Sequence, residues 1–183
     1  MLVLVVGPSG AGKDTLMAGA RAALADDARF RFVRRVITRP AEAGGEDHTP
    51  IDAEGFARAL AAGEFALSWE AHGLRYGIPA DIAADLAAGR VVVANVSRTV
   101  IAAAAERMPV TVLEITAPPD VLAARLAGRG RETAADIAAR LKREVTLPAG
   151  VTVRRVMNDG RVEDGIAAVR DTLLACCVPM PAG

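Results

Sequence analysis

The chain has 183 residues with 22 basic and 22 acidic side chains, so its formal net charge is zero and bulk charge implies no polyanionic partner such as nucleic acid. Hydrophobic residues make up 52% but aromatics only 3%, which specifies an aliphatic core and argues against a module that stacks nucleic-acid bases. The length suits one domain with room for a small subdomain, and no apolar run reaches membrane-spanning length, so no membrane partner is expected.

Leu2 to Val6, "LVLVV", reads as a fully buried strand; it lacks a basic flank and runs straight into a glycine loop, unlike a leader peptide. Lys13 to Leu24 reads as a helix, and "FRFVRRVIT" (30–38) alternates as one strand. The polar stretch from Pro40 to Pro50 is expected as a mobile surface loop. Asp52 caps a helix over "AEGFARALAAG", ended by Gly63; "EFALSW" (64–69) is a short strand. Pro79 is expected to open a helix over "ADIAADLAAG", ended by Gly89. "VVVANV" (91–96) is a buried strand, Thr99 to Arg107 a helix, and "VTVLEIT" (110–116) another strand. Val121 to Ala127 is helical, "GRGRET" (128–133) a basic loop, and Thr133 with Asp136 fits a cap for a helix through Arg143. "VTVRRVM" (151–157) is the last strand, a helix covers about 162–175, and "VPMPAG" is a frayed tail.

Buried β runs alternating with helices specify an α/β fold with a largely parallel sheet. Cys176 and Cys177 are adjacent, which suits neither a metal site nor a disulfide framework; free, buried or half-buried thiols of a cytoplasmic protein are expected.

The chemistry concentrates in "GPSGAGK" (7–13), which fits the phosphate-loop pattern between a strand and a helix. Gly7, Pro8, Ser9, Gly10, Ala11 and Gly12 would curl backbone N–H groups around the phosphates of ATP, the helix N-terminus would add partial positive charge, and Lys13 would reach the terminal phosphates. The next position, where Ser or Thr ordinarily touches Mg²⁺, is Asp14. A carboxylate beside triphosphate needs a cation between them, so Asp14 and Thr15 are candidate Mg²⁺ ligands; the alternative is that Asp14 only complements the helix dipole.

With that loop, the segments "RRVITRPAEAGGEDH" (34–48), "GEFALSWEAHGLRYGIP" (63–79), "NVSR" (95–98), "ITAPPDVLAARLAGRGRET" (115–133) and "MNDG" (157–160) resemble the guanylate-kinase-like branch of P-loop kinases. Within it the chain resembles the ribose 1,5-bisphosphate phosphokinase family of phosphonate metabolism most. The resemblance implies a five-stranded parallel core (1–34, 80–117 and 148–178), an acceptor-binding subdomain over about 35–79 and a lid over about 118–147. It also implies transfer of a phosphoryl group from ATP to ribose 1,5-bisphosphate, giving 5-phosphoribosyl 1-diphosphate and ADP.

Departures from true guanylate kinases separate the two. Their acceptor motif "S-x-T-T-R-x-P-R" corresponds here to "RVITRPAE": Arg35 takes the early serine position, Arg39 keeps the first arginine, the second is missing, and His48 replaces a tyrosine. The glutamate that reads the guanine edge falls at Leu67 or Ser68, with Glu70 out of register, and Asn95 stands where a base-contacting aspartate is expected. Loss of those groups removes base discrimination, while Arg34, Arg35, Arg39, His72 and Arg75 suit an acceptor with two phosphates.

On that resemblance Arg35, Arg39, His72, Tyr76 and Asn95 are the acceptor-binding candidates, and Arg129 and Arg131 the lid arginines that close on ATP, with Arg125 beside them and Arg140 one helix on. Asn158 and Asp159 would border the adenine. Structural alternatives stand beside these: one of Arg34 and Arg35 faces solvent, His48 is an exposed loop residue, His72 a turn residue, Tyr76 a packed ring, Trp69 core, and the lid arginines a solvated basic face. The remaining readings are a nucleoside-monophosphate kinase, with GMP the first acceptor to consider, and a catalytically silent interaction module. Oligomeric state is left open, a homodimer included.

Overall fold

The computed structural model describes residues 1–40, 47–127, 148 and 150–177. Five strands form one parallel sheet: β1 (Leu2–Val6), β2 (Phe30–Phe32), β7 (Val91–Asn95), β8 (Val110–Thr116) and β9 (Thr152–Met157), in the spatial order β2-β7-β1-β8-β9. β1 lies at the centre, and all five of its side chains are fully buried, as its unbroken β-branched and leucine run requires. Each such side chain withdrawn from water stabilises the fold by about 1.5–3 kcal/mol.

One face of this sheet carries α1 (Lys13–Ala23), α5 (Pro119–Ala127) and α6 (Val162–Leu174), which bury Leu16, Ala20, Leu122, Val169 and Leu173 against Val3, Val5, Val93, Leu113 and Ile115. α1 and α6 approach closely through small residues: Gly165 sits against Leu16, and Gly19 against Ile166.

The opposite face is covered by α3 (Ile82–Ala87), α4 (Ile101–Ala105) and part of a second, four-stranded sheet. That sheet has the order β4-β3-β6-β5, built from β3 (Arg35–Ile37), β4 (His48–Pro50), β5 (Phe65–Ala71) and β6 (Leu74–Pro79); α2 (Ala53–Ala61) joins β4 to β5. β3 and β4 are parallel, whereas β6 runs antiparallel to both β3 and β5.

Three expectations need correction. The run over 30–38 is two strands in two sheets: β2 pairs with β7, and after Val33 and Arg34 the chain leaves to pair with β6. Alternation cannot reveal a change of partner, because both halves keep the same period. The segment "LRYGIP" is a strand, and Pro79 closes it rather than opening a helix; α3 begins two residues past Ala80, at Ile82. Its partner is reached through His72 and Gly73, whose φ values of 53° and 73° supply the doubly left-handed turn that matches strand twist. His48 to Pro50 form β4 and not part of a mobile loop, because the backbone completes the edge of β3 and the His48 ring is buried.

Ion pairs tie the layers together. Asp85 of α3 accepts from Arg31 of β2 and from Arg90, the latter at 2.7 Å, while Arg31 also holds Asp81 at 2.8 Å. Cys176 is buried and Cys177 half-buried, both as free thiols, and burial pushes both above the ordinary thiol pKa. Among the described residues no helix is long and apolar enough to cross a membrane.

Candidate active site

The phosphate loop is set by the end of β1. A Cβ on Gly7 would lie 1.9 Å from the Ile115 carbonyl oxygen on β8, so only glycine lets the chain turn there. Gly12, at φ 80°, precedes α1 in the left-handed region and passes close under Asn158. Between them the loop forms a polar cleft lined by Ser9, Gly10, Gly12, Lys13, Asp14 and Thr15. Lys13 Nζ donates to the carbonyls of Gly7 at 2.8 Å and Pro8 at 2.9 Å, which holds the ammonium over the loop rather than out in solvent.

Asp14 and Thr15 are exposed on the first turn of α1, at the mouth of this cleft. Asn95, the last residue of β7, donates from Nδ2 to Asp14 Oδ1 at 3.2 Å. Strand ends of parallel sheets are where ligands gather, and Asn95 closes such a strand beside Asp14. The oxygen donors Asp14 and Thr15 fit a hard divalent cation shared with phosphate. Among the described residues no group of three or more His, Cys, Asp or Glu could hold a metal ion.

The second sheet assembles a different cluster. Trp69 and Tyr76, opposite each other on β5 and β6, stack with centroids 5.2 Å apart and planes 6° from parallel. The Arg35 guanidinium lies over Tyr76 at 5.3 Å and over Trp69 at 6.0 Å. Of the two adjacent arginines, Arg34 is the one at the surface, paired with Asp47 at 2.8 Å. Trp69 is core, as expected of the packing alternative.

Arg39 has a distinctive environment. Its Nε and Nη2 are buried, with no hydrogen-bond partner among the described residues. The His48 ring nitrogen Nε2 lies 3.0 Å from the Arg39 carbonyl oxygen, so His48 is buried against the arginine backbone instead of exposed in a loop. Thr38, which the sequence reading passed over, fastens the other side: its N–H donates to the Arg75 carbonyl at 3.0 Å and its Oγ1 accepts from Arg75 N–H at 2.8 Å. A threonine at a strand end directly before an arginine was the available signal.

Other candidates lie on the β5–β6 hairpin and beside the phosphate loop. His72 is exposed at the β5–β6 turn. Arg75 Nε donates to Glu70 at 2.9 Å across the same hairpin, so this arginine is balanced by a carboxylate. Asn158 is buried and donates from Nδ2 to the Ala11 carbonyl at 2.8 Å, while Asp159 is exposed. Arg125 Nη1 lies 3.5 Å from the Gly10 carbonyl oxygen. Arg129, Arg131 and Arg140 lie outside the described residues.

Glu114 is a further charged group that the apolar run around it, "VTVLEIT", conceals. It accepts from Arg98 at 2.9 Å and from Arg155 at 2.8 Å, joining the turn after β7 to β8 and β9.

No family model matches the chain. The ribose 1,5-bisphosphate phosphokinase PhnN of Methylobacterium radiotolerans is 52% identical over 176 residues, covering 96% of this chain and 98% of that protein. The protein of the same name from Acidiphilium cryptum is 51% identical, with 97% of each chain covered. A protein of Azorhizobium caulinodans named bifunctional ribose 1,5-bisphosphokinase-thymidine phosphorylase is 54% identical over 177 residues; these span 96% of this chain but 26% of that longer protein. Among solved structures, guanylate kinase from Anaplasma phagocytophilum superposes with a TM-score of 0.67 at 21% identity, covering 98% of this chain and 87% of that one. That likeness assigns the fold, a guanylate-kinase-like P-loop α/β fold.

Proposed function

This chain belongs to the ribose 1,5-bisphosphate phosphokinase PhnN family and is a phosphotransferase, and we propose that it transfers the terminal phosphoryl group of ATP to the 1-phosphate of ribose 1,5-bisphosphate. An oxygen of the acceptor phosphate bonds to the γ-phosphorus, the bond to the β–γ bridging oxygen breaks with its electron pair, and ADP and 5-phosphoribosyl 1-diphosphate leave. The attacking oxygen is already ionised at neutral pH, so no general base is needed, and catalysis becomes positioning and charge neutralisation.

The observation that carries this reading is Arg39. Two guanidinium nitrogens buried with no partner among the described residues are costly unless an anion takes them, and a phosphate matches their fork. Arg35 over the Trp69–Tyr76 stack would flank that anion, while Glu70, the carboxylate nearest a base-reading position, is exposed and engaged with Arg75. A base-reading site needs the reverse, a free acceptor and fewer cations.

In this reading the second sheet, within about 35–79, is the acceptor-binding subdomain, with Arg35, Arg39, Tyr76, Asn95 and His72 toward the acceptor. Lys13 and the loop from Gly7 to Thr15 hold ATP, and a lid over about 118–147 brings Arg129 and Arg131 to the transferring group. Mg²⁺ at Asp14 and Thr15 would neutralise phosphate charge. A place in phosphonate degradation follows from the family resemblance alone.

A coupled ADP-release assay with ATP and Mg²⁺ tests this, comparing ribose 1,5-bisphosphate with GMP. Turnover on the bisphosphate, with Arg39→Ala raising its KM by about tenfold or more, is expected from loss of a charge-assisted bond. Turnover on GMP alone would overturn the assignment of the acceptor.

A further inference from the structure

Asn158 is buried where the end of β9, the phosphate loop and α6 meet. It follows β9, is 6% exposed, and its own N–H donates to the Thr116 carbonyl at 2.7 Å, so its backbone is anchored to the end of β8. Its side chain lies between the phosphate loop and the start of α6. Nδ2 donates to the Ala11 carbonyl at 2.8 Å and sits 2.5 Å from where a Cβ on Gly12 would be; Oδ1 sits 3.2 Å from the corresponding point on Gly165.

We propose that Asn158 is a positioning residue that fixes the orientation of the Ala11–Gly12 peptide and thereby the anion-binding curvature of the loop. A trans peptide is planar, with its C=O and N–H opposed. Holding the Ala11 carbonyl toward Asn158 turns the Gly12 N–H the other way, and Gly12 lines the cleft. Were this peptide to flip, a carbonyl would face the anion where a donor is required. Glycine at 12 then has a second purpose besides its left-handed φ, since any side chain would displace the amide that holds its own peptide. The inference rests on the loop being the phosphate site of the donor nucleotide.

The test is calorimetric binding of ADP and of inorganic pyrophosphate to the full chain and to Asn158→Ala and Asn158→Asp. Pyrophosphate carries no base, so it separates a loop-shaping role from an adenine contact. Loss of the donor to a buried carbonyl is expected to weaken both ligands by a similar factor, about tenfold. In turnover assays the KM for ATP should rise while that of the phosphate acceptor stays unchanged. Asn158→Asp keeps the side-chain volume should Asn158→Ala prove too unstable. Its carboxyl, once protonated, can donate again, so its deficit relative to wild type should shrink as pH is lowered. Weaker ADP binding with pyrophosphate unaffected would overturn the proposal in favour of a base contact, and unchanged binding of both would reduce Asn158 to a packed residue. Failure of the wild type to bind pyrophosphate would overturn it as well. Wild-type binding of both ligands without turnover on the bisphosphate would instead remove the proposed reaction and leave this inference standing.

Discussion

Asn95 Nδ2 donates to Asp14 Oδ1 at 3.2 Å, joining the end of one parallel strand to the first turn of the helix that leaves the phosphate loop. The carboxylate that replaces the ordinary hydroxyl is therefore held by an amide that carries no charge. Asp14→Asn should move the Mg²⁺ activation curve to higher concentration by about tenfold or more, the scale of a lost charge-assisted contact. A Mg²⁺ titration superimposable on wild type would leave Asp14 with only its helix-dipole role.

Lys13 spans the Gly7 and Pro8 carbonyls, and its charge is the one fixed cation at the bottom of the loop cleft among the described lining residues. Lys13→Ala should lower kcat by at least ~10²-fold, as for removal of a single preorganised donor to developing charge, with the melting temperature little changed. Retained turnover would take the lysine out of the chemistry.

The Trp69–Tyr76 stack separates packing from recognition. Trp69→Ala should destabilise the fold by about 3–5 kcal/mol, read from urea unfolding, because the indole belongs to the core under the second sheet. Tyr76→Phe keeps the ring and should leave stability unchanged, yet raise the KM of the phosphate acceptor. An unaltered KM would mean that the phenol serves only the stack.

Asp85 gives a pH signature. Hydrogen bonds from Arg31 and then Arg90 hold its carboxyl below the usual aspartate pKa. Its folded pKa is thus depressed, so its contribution is complete above the unfolded value near 4 and is lost as pH falls through the folded one. Asp85→Asn should melt below wild type at neutral pH, and the gap should close in acid. A gap independent of pH would show that the carboxylate charge is not what links α3 to β2.

Much of this was readable in advance, for reasons that differ by element. β1, β7 and β8 announce themselves because strands buried on both faces are mostly apolar, β1 without exception. The loop at Gly7 to Lys13 is legible because phosphate binding needs backbone with no Cβ in the way at fixed spacing. Three things were hidden because they depend on which partner a strand finds. β2 and β3 share one alternating run yet belong to different sheets, β6 carries a glycine and a proline that obscure it, and His48 is buried only through the edge made by β3. Asn158 was recognised by motif, but contact with the Ala11 carbonyl could not be read from a position 147 residues along the chain.

The place of β1 also governs how the molecule is made. β1 pairs with β7, some 90 residues further along the chain, and with β8 beyond that, so it has no strand partner until those segments have been made. Its sequence is an uncharged β-branched run, which is the composition of an aggregation-prone segment while unpaired. Long-range parallel pairing is slow because loop closure precedes any gain from contact. A nascent chain therefore carries residues 2–6 unpaired until β7 has emerged, and shielding that segment during synthesis is expected to raise the yield of folded protein.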